Sequence, residues 1–240
     1  MYRVLNSEKT TKTIEALRRR IEERFPSSGL GKVCEELCKI AEETRARIDW
    51  ISRPNHVLRI TIIVVILMSL LVLGYTISLM EITLREFSFG EFVQVVEAGL
   101  NTVVLVGAAL FFLVTVEIRV KRARVLAALH ELRSIAHVID MHQLTYDPSR
   151  LANRIVTPSS PKREMTAFEL FRYLDYCSEM LSLTGKVAGL YAQSSRDAVV
   201  LSSVNELEIL STGLSRKIWQ KIMLSRHFDE FPDPDSTAAP

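Results

Sequence analysis

Two long uncharged stretches, residues 60–80 and 98–116, dominate the pattern of hydrophobic and polar positions along the chain. A hydrocarbon core of about 30 Å requires about 20 apolar residues in a helix, and each stretch has that length. The segment between them is short and carries charges, which favours an antiparallel arrangement. The pattern predicts an all-α integral membrane protein, with a two-span antiparallel transmembrane helix hairpin, a cytoplasmic helical bundle and a long stalk helix continuing from the second span.

Apolar residues also recur at helical spacing before and after the hairpin, with charged residues between them. Each apolar stripe needs a surface to pack against, so we expect the two arms to form one bundle. The stripes include Leu17, Leu37, Leu129, Ile139, Phe171, Leu174, Leu207 and Ile218. Thr166 and Glu169 have the spacing of a capping box, which predicts that a helix starts there.

These patterns divide the chain into eight segments. They are an N-terminal cytoplasmic helical hairpin (1–53), transmembrane helix 1 (54–80), a short outer turn (81–92), transmembrane helix 2 (93–118), a cytoplasmic stalk helix (119–144), a connector (145–165), a C-terminal cytoplasmic helical hairpin (166–226) and a disordered acidic tail (227–240). No Gly or Pro lies between Gly107 and Asp147, so one helix is expected to continue from the second span to about Leu144.

Positive charges lie mainly at one end of the predicted hairpin. Only Arg85 lies in the connecting turn, whereas the following flank the two spans: Arg45, Arg47, Arg53, Arg59, Arg119, Lys121, Arg122 and Arg124. Lys and Arg are retained on the cytoplasmic side, which predicts a multi-pass protein of the cell inner membrane with both termini cytoplasmic. The pattern therefore predicts the lipid bilayer as a partner of the chain.

Composition adds little about further partners. The formal net charge is only +2, with 30 basic and 28 acidic residues, so we expect no nucleic acid partner.

Walker, GxSxG and HExxH motifs are absent, which argues against an enzyme, and no cofactor is predicted. Cys34, Cys38 and Cys177 fall in the predicted cytoplasmic parts, where thiols stay reduced.

Polar residues share one face of the second span. Glu97, Asn101 and Thr115 lie on this face by helical spacing, and polar groups at membrane depth often line an ion pathway. The alternative is structural: Glu97 reaches interfacial water, while Asn101 bonds across to Ser69 or Tyr75.

A second polar face follows on the predicted stalk. His130, Arg133, His137 and Asp140 fall at i, i+3, i+7 and i+10, with His142 close by. Histidine and carboxylate on one face can bind zinc, but His130 and His137 are about 10 Å apart along the axis, so another helix or subunit must supply ligands. The alternative is a polar seam that hydrogen-bonds neighbouring helices.

The layout resembles the topology of magnesium channels and calcium uniporters. The turn lacks Gly-Met-Asn, however, and no Trp-Asp and Glu-Pro signature precedes the second span, so no family is assigned. We expect a membrane-anchored helical interaction or regulatory module, a homo-oligomer with coiled-coil contacts and a cytoplasmic protein partner. The alternative is an oligomeric ion channel whose cation pathway is lined by transmembrane helix 2.

Overall fold

The computed structural model describes residues 4–53, 56–79, 89–144 and 165–230, which form six helices and no strand. The helices are α1 (Ser7–Arg24), α2 (Gly29–Ser52), α3 (His56–Leu79), α4 (Phe89–Leu144), α5 (Ala167–Ser194) and α6 (Ala198–Glu230). The all-helical prediction is confirmed for these residues. Most of the outer turn, the connector and most of the tail lie outside them, so those predictions and the antiparallel hairpin stay predictions.

Local sequence explains where the helices start. Thr166 Oγ1 accepts a hydrogen bond from the Glu169 amide at 3.2 Å, and the Glu169 carboxylate accepts one from the Thr166 amide at 2.9 Å. This reciprocal pair confirms the predicted capping box at the start of α5. Ser28 Oγ accepts from the Gly31 amide at 3.1 Å, which satisfies an otherwise free donor in the first turn of α2.

The chain forms two compact units. The first combines Met1–Ile51 with Arg124–Pro240, and the second is Ser52–Ala123, so α4 contributes to both. The first unit has one hydrophobic core that contains the apolar stripes named above. Seven of those eight side chains are buried and Phe171 is partly buried against the same core. The prediction that both arms pack together is therefore confirmed.

Hydrogen bonds and ion pairs join distant parts of the first unit. Arg20 binds Glu179 through both terminal nitrogens, at 2.6 and 3.3 Å, and so joins α1 to α5. Arg47 Nη1 lies 2.6 Å from Glu131 Oε2 and joins α2 to α4. These pairs are exposed, so each contributes at most about 1 kcal/mol, and most of the stability comes from the buried core.

The second unit has the opposite distribution of apolar side chains. Two helical stretches of the described chain are long and apolar enough to cross a membrane, with mean hydropathies of 2.2 and 2.3 and none of their apolar windows buried. Leu71 of α3 is 67% exposed, and Leu105 and Phe111 of α4 are 74% and 75% exposed. In these helices the large apolar side chains therefore face outward.

Candidate functional site

The polar face predicted on α4 lies in the second unit. Glu97 and Asn101 are exposed and Thr115 is half-buried. Thr115 Oγ1 donates to the carbonyl of Phe111 at 2.8 Å, so its hydroxyl proton is satisfied within its own helix. Ser69, one partner considered for Asn101, likewise donates to Val65 of its own helix at 2.9 Å. Glu97 and Asn101 thus stand one turn apart just before the apolar residues 103–114, and their role stays a prediction.

The predicted histidine face lies in the first unit. His130 and His137 are exposed, Asp140 accepts a 2.6 Å hydrogen bond from Gln143 Nε2, and His142 lies partly buried elsewhere on the helix. Among the described residues, no three His, Cys, Asp or Glu side chains are placed to hold a metal ion. The structure does not bring the predicted ligands together at one point.

The end of α4 makes polar contacts with other helices. His142 Nδ1 lies 3.3 Å from the hydroxyl of Tyr173 on α5, and Lys221 Nζ of α6 donates to the Gln143 carbonyl at 3.1 Å. A Cβ placed on Gly29 would lie only 2.5 Å from His142 Cε1, so the imidazole packs directly on the first residue of α2. For His142, this geometry matches the polar seam considered above.

The three cysteines are free and buried. Burial raises the pKa of the Cys34 and Cys177 thiols to about 12. Burial also raises the pKa of Cys38, and the neighbouring Glu42 carboxylate adds to the shift. Because the thiolate is the reactive form, the raised pKa values lower the reactivity of these three thiols at neutral pH.

Sequence reasoning missed a groove on the first unit. It lies between the segment before α1 and helices α5 and α6, and has a volume of about 650 Å³. Charged, hydroxyl and aromatic side chains line it, including Lys186, Glu208, Ser211, Arg216 and Trp219. The groove lies within the first unit and shares no lining residue with either predicted polar face.

Ser211 is the groove residue whose position in the sequence pattern is most unusual. It follows Leu207 and precedes Leu214 in the apolar register of α6, at a position where an apolar side chain is expected. It is 4% exposed, and its hydroxyl has no hydrogen-bond partner in the described structure. The sequence signal that could have indicated the groove is therefore a serine that interrupts an apolar stripe.

No protein-family model, curated protein or solved structure matches this chain. Its function must therefore be argued from its own residues.

Proposed function

We propose that this chain is a two-span membrane protein in which α3 and the first half of α4 anchor a helical interaction module to a bilayer. One contrast within α4 carries the proposal. Leu105 and Phe111 are 74% and 75% exposed, whereas Leu132 and Ile139 of the same helix are fully buried. Large contiguous apolar surface is unfavourable in water, so the exposed half requires an apolar surrounding.

The exposure surrounds the helix, which favours lipid over a single protein partner. Val103, Val104 and Leu105 are consecutive and are 71%, 65% and 74% exposed. Successive helical residues are separated by about 100°, so these three side chains point to different sides of α4. One partner helix covers only one side, whereas acyl chains cover all of them.

The first unit supplies the interaction module in this proposal. Val138, Met141 and Leu144 follow each other at i, i+3 and i+6 near the end of α4, and are 37%, 65% and 61% exposed. Their spacing places them on one side of the helix. We propose that a second copy of the chain or a cytoplasmic protein covers this side, which makes the module an assembly platform.

Alkaline extraction of isolated membranes tests the anchor. The wild-type chain is expected to remain in the pellet, whereas the double variant Val104→Arg/Leu105→Arg is expected to be released, because each Arg at the centre of a span costs about 2.5–3.5 kcal/mol. Met141→Arg, an equally exposed position in the first unit, serves as the matched control and should stay in the pellet. Folded wild-type protein in the wash would refute the anchor.

An ion channel is the second candidate, favoured by the exposed Glu97 and Asn101 on an apolar stretch of α4. In a channel these groups line the axis of an oligomer, since a carboxylate facing lipid is unfavourable. Cation flux through the chain in liposomes, compared between wild type and Glu97→Gln, separates the two functions. Altered selectivity in the variant supports the channel, whereas background flux from an assembled wild type supports the anchor alone.

A further inference from the structure

We propose that the groove between α5, α6 and the segment before α1 binds a small amphipathic anion, with a carboxylate or phosphate head and a short apolar body. The groove belongs to the first compact unit alone. The proposal therefore stands whether or not the membrane anchor is correct.

The unpartnered hydroxyl of Ser211 is the first observation. A buried hydroxyl without a hydrogen bond is unfavourable, and native proteins rarely retain one. Its neighbour Ser215 is already satisfied, because its Oγ lies 2.6 Å from Ser178 Oγ of α5. Ser211 lines the groove and is only 4% exposed. An acceptor oxygen of a ligand in the groove would satisfy this hydroxyl.

The charges of the groove favour an anion. Lys186 and Arg216 contribute two cations, against the single carboxylate of Glu208. Lys186 Nζ donates to Ser182 Oγ at 2.7 Å, and an ammonium group has three donors, so donor capacity remains. Arg216 also lines the groove, and its guanidinium can bind two oxygens of a carboxylate or phosphate.

The remaining walls suit an apolar body. Leu5, Leu181 and the half-exposed Trp219 line the same groove as the charged groups. Its volume of about 650 Å³ lies within the range of small-molecule sites, about 300–1,000 Å³. There is open space above Gly185, since a Cβ built there would meet only Glu208 Cγ, at 4.0 Å. A short-chain amphiphile fits these dimensions.

The fluorescence of Trp219 provides a direct test. The chain has two tryptophans, so Trp50→Phe leaves Trp219 as the sole reporter. This chain, held in phosphatidylcholine discs, is titrated with hexyl phosphate, hexanol, hexylammonium and inorganic phosphate. We expect a saturable change of Trp219 emission with hexyl phosphate, and binding at least tenfold tighter than for any of the other three probes.

Substitutions identify the groups that recognise the anion. Ser211→Ala should weaken hexyl phosphate binding several-fold and raise the thermal midpoint of the ligand-free protein, since it removes an unsatisfied hydroxyl. Arg216→Gln should weaken binding about tenfold, whereas Arg196→Gln, an exposed arginine outside the groove, should not change it. Gly185→Leu should block the groove, while Gly185→Ala should leave it open.

Three results would overturn the proposal: no saturable change, hexanol binding as tightly as hexyl phosphate, or equal affinities for Arg216→Gln and Arg196→Gln. A competition experiment then assigns the source of the anion. If discs containing phosphatidylglycerol weaken hexyl phosphate binding, the anion is a lipid headgroup. If they do not, the anion is a free metabolite. Both outcomes retain the anion site.

Discussion

The guanidinium carbon of Arg124 lies 3.8 Å from the centre of the Trp50 ring, so the end of α2 is stacked on the first α4 residue of the first unit. Cation–π pairs of this kind contribute about 0.5–1 kcal/mol when exposed and more when desolvated.

A double-mutant cycle measures this contact. We expect Trp50→Ala and Arg124→Gln each to destabilise the first unit, with a coupling energy of about 0.5–1 kcal/mol between them. Trp50→Phe should retain most of that coupling, because it keeps an aromatic face. Urea unfolding of the chain in lipid discs, followed by circular dichroism, provides the measurement. Strict additivity of the two substitutions would show that the stacking is not stabilising.

Two glycines should respond in opposite ways to substitution by alanine. Gly29→Ala places a methyl group 2.5 Å from His142 Cε1 and forces the imidazole away from Tyr173. We expect a loss of about 1–2 kcal/mol, within the range for overpacking. Gly213→Ala, inside α6, meets nothing within 4 Å and should stabilise by about 0.5–1 kcal/mol through helix propensity. Thermal unfolding of both variants compares them, and stabilisation by Gly29→Ala would contradict the contact.

The capping box at the start of α5 predicts a pH dependence. Hydrogen bonds from the Thr166 amide and hydroxyl lower the pKa of Glu169 below its ordinary value of 4.5. A carboxylate whose pKa falls on folding stabilises the protein above its unfolded pKa, and that stabilisation is lost as the pH falls through its folded pKa. Glu169→Gln should therefore be more destabilising at pH 7 than at about pH 3.

The difference in unfolding free energy between wild type and Glu169→Gln, measured at both pH values, tests this dependence. Glu23→Gln, an exposed carboxylate on α1, is the control for a general charge effect. Thr166→Ala should cost about 1 kcal/mol at pH 7, as expected for loss of an N-cap. An equal effect of Glu169→Gln at both pH values would contradict the argument.

Cysteine labelling tests the side of the membrane on which the first unit lies. Helices α1 and α6 contribute to one core, so a bilayer cannot separate them. Glu23→Cys and Ser202→Cys, both exposed positions, should therefore be protected together from an impermeant maleimide in sealed cells and labelled together after lysis. The native thiols give little background, because burial raises their pKa. Labelling of either variant in sealed cells would refute the cytoplasmic assignment.

Sequence periodicity predicted which faces are buried but not which faces meet. The stripes of Leu17 and Leu207 follow from helical spacing, and the capping box follows from residue types three positions apart. The pairing of Arg20 with Glu179 joins residues 159 positions apart, and no local pattern encodes it. The contact of His142 with Tyr173 has the same origin, since tertiary packing decides which polar group of a face finds a partner.

The groove was missed for a related reason. Ser211 interrupts an apolar stripe, which the sequence displays, but its lack of a hydrogen-bond partner depends on the positions of α5 and α6. The polar face of Glu97 and Asn101 could be predicted from sequence because the residues that follow it, 103–114, are all apolar. The role of this face depends on how copies of the chain assemble, which no local sequence pattern encodes.

The hydrogen bonds between the two arms determine when the first unit can be completed during synthesis. The Leu5 amide binds Gln193, 188 positions later, and Thr44 accepts from Tyr191, 147 positions later. At about 5–20 residues per second, the ribosome needs roughly seven to forty seconds to cover such separations. The contacts that α1 and α2 make with α5 therefore cannot form until α5 has been made. In this interval the core of the first unit is incomplete, and apolar surface exposed in an incomplete fold favours aggregation.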